Sequence, residues 1–149
     1  MRLISRLYQE GDFENFIQKT VKENMKEFFL KNFGGWNDEV SKRQFFEYFE
    51  KGFVYVFELN SIPVGYVTFV KEDETFYVND FQVRKEFQQK GFGSEIMEFL
   101  EDFAKKNKGK EIKLLVFKDN PALKFYLKHG FREINFIPHN NTCEMIKML

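Results

Sequence analysis

The sequence predicts a single mixed α+β domain spanning residues 1–149, a mostly antiparallel sheet of about seven strands with helices packed on it. Two observations carry that reading. Between Phe53 and Val83 three apolar runs follow one another, separated only by Asn60-Ser61 and Lys71-Glu72-Asp73-Glu74, the spacing of an antiparallel meander. After Val83 the apolar period changes from that of a strand to that of a helix: Ile96, Leu100, Phe103 and Ala104 fall on one helical face just beyond Gly91-Phe92-Gly93.

In chain order, Leu3 to Tyr8 alternates loosely as a first strand. Gly11-Asp12 offers a turn and an N-cap. From Phe13 onward, Phe16, Ile17, Val21, Met25, Phe28 and Phe29 keep helical spacing up to Gly34-Gly35. Asp38 or Ser41 opens a second helix with a Phe45, Phe46, Phe49 stripe, ended by Gly52. The three strands of the meander are Phe53–Leu59, Val64–Val70 and Phe76–Val83. A third helix covers Ser94–Lys106 and stops at Asn107-Lys108-Gly109. Ile112–Phe117 is a short buried strand. Asp119-Asn120-Pro121 starts a fourth helix, by a side-chain cap and a proline in the first turn, and His129-Gly130 ends it. Phe131–Ile137 and Thr142–Met148 are the last strands. The order is β-α-α-β-β-β-α-β-α-β-β.

Composition bounds the function. Hydrophobic residues are 43% and charged residues 31%, so the chain suits a folded domain with a sizeable core, and its 21 phenylalanines are expected to build that core. Basic and acidic residues balance at 23 each, which weighs against nucleic acid or an anionic membrane as main partner. Lys105, Lys106 and Lys108 sit where a helix C-terminus favours them. The lone Cys143 excludes an intrachain disulfide and fits a reducing compartment. The first residues lack the apolar stretch of a signal peptide, and no apolar run reaches the roughly 18 residues that span a bilayer. A cytoplasmic protein is therefore expected.

The chemistry concentrates at Gln88-Gln89-Lys90-Gly91-Phe92-Gly93-Ser94. A strand enters this stretch and a helix leaves it. Amides at a helix start are unpaired, the helix dipole places partial positive charge there, and glycine leaves the amides open to a ligand. The stretch is thus a candidate phosphate cradle. Dinucleotide folds also use Gly-x-Gly-x-x-Gly, but directly after a first strand. Here Ile96 stands at the third glycine position and a meander comes first.

Gln88-Gln89-Lys90-Gly91-Phe92-Gly93 resembles the Gln/Arg-x-x-Gly-x-Gly/Ala signature of the GNAT superfamily of N-acetyltransferases. Phe81-Gln82-Val83 is similar to that family's fourth strand, and Asn120-Pro121-Ala122 with Tyr126 and Gly130-Phe131 to its later Asn-Pro-Ala…Tyr…Gly-Phe segment. The resemblance implies a GNAT-type sheet with four helices, and acetyl-CoA as co-substrate with no metal. The amides of Gln88, Gln89, Lys90, Gly91, Phe92, Gly93 and Ser94 would hold its pyrophosphate, with Arg84, Lys85 and Lys90 adding charge. The edge of Phe81, Gln82 and Val83, exposed where the fourth and fifth strands splay, would pair with the pantetheine arm, which Asn120 would also contact. In many relatives the asparagine lies one position further from the tyrosine, where Asp119 stands here.

Three needs follow from amine attack on a thioester: a proton acceptor, a donor to the oxyanion, and an acid for the thiolate. The resemblance puts a backbone amide near Val83 at the oxyanion and Tyr126 as the acid. Asp80 is the base candidate, with Asn79, Glu144 and His139 nearby and a water relay as the other route. Plainer readings stand beside these: Tyr126 as a packing aromatic, Asn120 as an N-cap, Trp36 as core, His129 as a helix-end residue favoured by the dipole. The acceptor groove would lie between Phe33–Glu39 and Pro138–Thr142. The expectation is direct transfer to a small-molecule or peptide amine, without an acetyl-Cys143 intermediate and with a homodimer possible. A non-catalytic CoA-binding domain or a longer acyl donor are the alternatives.

Overall fold

The structure, a computed structural model, describes residues 2–149. Seven strands, β1 (Ile4–Leu7), β2 (Phe53–Leu59), β3 (Ile62–Glu72), β4 (Thr75–Val83), β5 (Glu111–Phe117), β6 (Arg132–Ile137) and β7 (Thr142–Met148), form one sheet in the order β1-β2-β3-β4-β5-β7-β6. Four helices pack on it: α1 (Gln18–Phe33), α2 (Asp38–Lys51), α3 (Phe92–Lys106) and α4 (Ala122–Lys128). Element types and order are those the sequence predicts. Every neighbouring pair is antiparallel except β4 and β5.

Strand alternation sends side chains to two cores. Val54, Val56 and Tyr66 join Phe13, Phe16, Ile17, Val21 and Phe45 beside α1 and α2. Phe57, Val67, Phe69 and Phe76 join Ile96, Met97, Leu100 and Ala104 of α3. Each fully buried aliphatic side chain of α3 stabilises the fold by roughly 1.5–3 kcal/mol. The phenylalanines do build the core: the Phe69 ring lies 5.3 Å from Phe53, 6.0 Å from Phe76 and 5.1 Å from Phe103, in stacked, tilted and edge-on geometries.

The start of the first helix departs from expectation. Residues Phe13–Ile17 wind as a wider π turn before α1 begins. Asp12 does not cap it. Its carboxylate instead takes a fork from Arg6 at 2.8 and 3.0 Å and the Gln9 N–H at 2.7 Å. Charge-assisted bonds to arginine outweigh a cap, and Arg6 also reaches Glu58 at 3.0 Å. Farther on, α2 starts at Asp38, with Asn37 as its cap accepting the Val40 N–H at 3.0 Å. Helix α3 starts at Phe92, ahead of the expected Ser94, because Gly91 turns the chain with φ 86°.

The site is prepared by an opening in the sheet. Strands β4 and β5 pair only from Thr75↔Glu111 to Val78↔Leu114. Beyond that, β4 runs on to Val83 and β5 to Phe117 without a shared ladder. The break coincides with a bulge, since Thr68 pairs with Asp80 and Phe69 with Val78, leaving Asn79 extra. A bulge bends its strand, which here steers β4 away from β5.

Opposite the opening, β3 grips β4 closely at Gly65. A Cβ there would lie 2.4 Å from the Gln82 carbonyl oxygen and 3.2 Å from the Val83 Cα. Gly65→Ala is expected to destabilise the fold by roughly 2–3 kcal/mol, measured by urea unfolding. An unchanged midpoint would contradict the close approach.

Candidate active site

A cleft of about 1260 Å³ occupies the splay. Its walls are the ends of β4 and β5, one face of α1 with the α1–α2 connection, the start of α3, and α4.

At one end lies the loop before α3. Gln88, Gln89, Gly91, Gly93 and Ser94 line the cleft; the Lys90 and Phe92 side chains do not. The Phe92 ring is buried in the core, 3% exposed, so only its backbone belongs to the loop. The glycines differ in purpose from the sequence expectation. Gly91 is needed for its left-handed φ, and a Cβ there would meet Arg2 Nη2 at 3.3 Å rather than fill the cleft. At Gly93 a Cβ would press on the Phe125 ring at 3.2 Å. The charges also differ. Lys85 lines the cleft, but the Arg84 guanidinium turns away, donating to the Pro63 carbonyl at 2.8 Å and pairing with Glu86 at 3.5 Å.

His129 is tied to this loop rather than standing alone at a helix end. Its Nε2 lies 3.1 Å from the Ser94 hydroxyl, and its ring packs 4.4 Å from Phe125. Burial holds its pKa below the ordinary value, against the pull of Glu101. Burial here opposes the positive charge that a helix C-terminus would favour.

The middle of the cleft is the free edge of β4. The Arg84 N–H bonds across to Val64 O at 2.8 Å, so alternation turns the N–H and C=O of Val83 the other way, into the opening. The Val83 carbonyl is taken by Asn24 Nδ2 and Gln88 Nε2, each at 2.9 Å. Its N–H faces the cleft as a donor. Asn24 also reaches Gln82 Oε1 at 3.1 Å, fastening α1 to the strand end. Asn24 escaped the sequence reading. The available signal was an asparagine, a poor helix former, inside an otherwise strong helix.

Tyr126 and Asp80 both line the cleft. The Tyr126 ring is held edge-on by Phe81 at 6.1 Å, Phe125 at 5.5 Å and Phe131 at 5.6 Å. Burial, then the nearby Asp80 charge, pushes its phenol far above the ordinary value. Asp80 accepts from the Tyr66 hydroxyl at 2.8 Å and from Gln82 Nε2 at 2.9 Å. Burial raises its carboxyl pKa, and those two bonds work in the opposite direction. Tyr66, unnoticed in the sequence, is itself fully buried and shares a face with Asp80 and Gln82. Of the other base candidates, Asn79 lines the cleft; Glu144 and His139 lie outside it.

The far end is aromatic. Trp36 is half-buried, packing against the core beside α1 and α2 while also lining the cleft, edge-on to Phe29 at 5.1 Å. Phe28, Phe29 and Phe33 gather around Phe117 at 5.6–5.9 Å. Asn140 of the β6–β7 connection and Thr142 at the start of β7 complete the wall. Asp38 and Glu39 do not line the cleft, and Asp38 is held by Lys22 and by Trp36 Nε1. Asn120 lines the cleft and accepts the Ala122 N–H at 2.9 Å, so cap and lining roles coexist. Asp119 is committed to Lys31 at 2.6 Å.

A helix start, a free strand edge and a buried phenol thus face one cleft. The chain belongs to the acetyltransferase (GNAT) family, whose profile matches residues 18–131. As such it is an enzyme of the N-acetyltransferase class. No curated protein matches the sequence. Solved structures similar to it include a PaiA N-acetyltransferase from Thermoplasma acidophilum in complex with coenzyme A, with 18% identity, TM-score 0.81 and full coverage of both chains. A GNAT family acetyltransferase from Elizabethkingia anophelis with acetyl-CoA bound has 16% identity and TM-score 0.77 over 99% of each chain. The ribosomal-protein-S18-alanine N-acetyltransferase from Escherichia coli has 15% identity and TM-score 0.74, covering 98% of this chain and 93% of that one. These likenesses establish the fold. Among the described residues no helix is long and apolar enough to cross a membrane.

Proposed function

We propose that the chain transfers the acetyl group of acetyl-CoA to a primary amine of a small-molecule or peptide acceptor, by direct attack in a ternary complex. One observation carries this reading: a single cleft joins the α3 amides to Tyr126 and Asp80 along the open edge of β4. An anionic tail and a thioester at opposite ends of one molecule would both be met.

The residues divide the work as follows. Amides from Gln89 to Ser94 bind the pyrophosphate, with Lys85 adding charge, whereas the Gln88 N–H is already donated to the Lys85 carbonyl at 3.2 Å. The free edge at Phe81 pairs with the pantetheine amides; the Gln82 backbone faces β3 and the Val83 carbonyl is held by Asn24 and Gln88, so Val83 contributes its N–H, which donates to the thioester oxygen as it becomes an oxyanion. Asn120 borders the arm. Asp80, directly or through water, takes the proton of the incoming ammonium, leaving the lone pair that attacks the carbonyl carbon. As the C–S bond breaks, Tyr126 gives its proton to the thiolate, and the second proton released by the attacking nitrogen, passed through water, restores the phenol. Its raised pKa keeps that proton in place throughout the neutral range. The aromatic end, with Trp36 and Phe33, receives the acceptor.

The pH profile follows from signs. Asp80 accepts a proton only when ionised, and burial raises its pKa, so activity falls on acidification earlier than for an ordinary aspartate. Tyr126 imposes no fall on the alkaline side up to about pH 10, since its pKa lies above the reference value. Asp80→Asn is expected to lower kcat/KM for the amine by roughly a hundredfold and to flatten the acid limb, with acetyl-CoA affinity kept. A pH–rate series on both proteins checks this; an unchanged acid limb would remove Asp80 from the proton path. The acetyl transfer itself is tested with a panel of polyamines, arylalkylamines and peptides, read by mass spectrometry for acetylated product. Failure to acetylate any amine while binding CoA normally would favour a regulatory CoA-binding domain.

A further inference from the structure

The proposal here rests on the reading of the α3 loop as the pyrophosphate cradle. Arg2 is far from that loop in sequence and outside every motif, yet it grips the loop from behind. Its Nη2 donates to the Lys90 carbonyl at 2.7 Å. Its Nε and its own N–H both donate to Glu95, in the first turn of α3, at 3.0 and 2.7 Å. The Leu3 N–H adds a bond to the same carboxylate at 3.1 Å. The guanidinium also lies 4.3 Å over the Phe92 ring. Burial would raise the Glu95 pKa, but these amide bonds and Arg2 hold it below the ordinary value.

The bond to Lys90 has a geometric consequence. Among the described residues no peptide is cis, and in a trans peptide the C=O and the next N–H point in opposite directions. Arg2 lies outside the cleft and Gly91 lines it. Holding the Lys90 carbonyl toward Arg2 therefore turns the Gly91 N–H toward the cleft. The left-handed Gly91 makes this peptide plane free to flip, because glycine tolerates either orientation. We infer that Arg2, anchored by Glu95, is a positioning residue for the donor: it fixes the Lys90–Gly91 peptide so that the Gly91 N–H points at the pyrophosphate.

Arg2 is 55% exposed, so its removal should leave the fold intact. The test compares acetyl-CoA with acetyl-pantetheine, which has the same thioester and no pyrophosphate, in wild type, Arg2→Ala, Arg2→Lys and Glu95→Gln. Expected is a rise of about tenfold in the KM for acetyl-CoA in Arg2→Ala, at unchanged kcat, with kcat/KM for acetyl-pantetheine unaltered. Arg2→Lys and Glu95→Gln should fall between, since lysine cannot serve both Glu95 and the carbonyl with one fork. An unchanged KM for acetyl-CoA would overturn the proposal. So would an equal loss with both donors, which is a general structural effect. A wild type that does not favour acetyl-CoA over acetyl-pantetheine would overturn the cradle itself, and the Arg2 role with it.

Discussion

Tyr126→Phe is expected to lower kcat by roughly a hundredfold while leaving acetyl-CoA binding close to wild type. The phenol sits in a cage of Phe81, Phe125 and Phe131, so the ring will keep its place when only the oxygen is lost. Stability should hold for the same reason, because no described residue hydrogen-bonds the hydroxyl in a way that removal would orphan. The split between kcat and binding separates an acid from a packing residue. Stopped-flow thiol detection beside calorimetric titration measures both. Unchanged turnover would return Tyr126 to the role of a core aromatic.

Gly91→Glu is expected to weaken acetyl-CoA binding by roughly a hundredfold or more. A side chain at φ 86° is strained, and its Cβ would approach Arg2 Nη2 at 3.3 Å. The new carboxylate would compete with the Lys90 carbonyl for Arg2, releasing the peptide that Arg2 holds. It would also set a negative charge beside a loop meant for an anion. Calorimetry with CoA checks this, with a thermal melt to show that α3 still folds. Normal affinity would refute the cradle.

Much of this site was legible because its signals are local. The apolar alternation of Phe53–Leu59, the turn at Asn60-Ser61 and the helical period after Gly93 need no knowledge of the rest of the chain. Gln88 to Ser94 and Tyr126 could be named for their motifs, and Asp80 for its place on a strand bordering the expected acceptor groove; all but Lys90 and Phe92 line the cleft. What stayed hidden depends on partners distant in sequence. Asp12 has every property of a cap, and only Arg6 and Glu58 on neighbouring strands decide otherwise. Arg84 looks like a phosphate ligand until Pro63 and Glu86 claim it. Asn24 and Arg2 act on residues 59 and 88 positions away, a separation no local pattern encodes. The splay of β4 from β5 was implied by the resemblance, but the bulge at Asn79, just past the last pair at Val78, lies in a run that reads as one unbroken strand.

Rapid mixing of the protein with acetyl-CoA, before and after addition of an acceptor amine, distinguishes direct transfer from an acetyl-enzyme route. Without the amine, no thiol release and no change in protein mass are expected, since Cys143 is fully buried and burial raises its pKa. On addition of amine, thiol and acetylated amine should appear together in equal amounts. A burst of thiol without amine, matched by an acetylated protein, would contradict it.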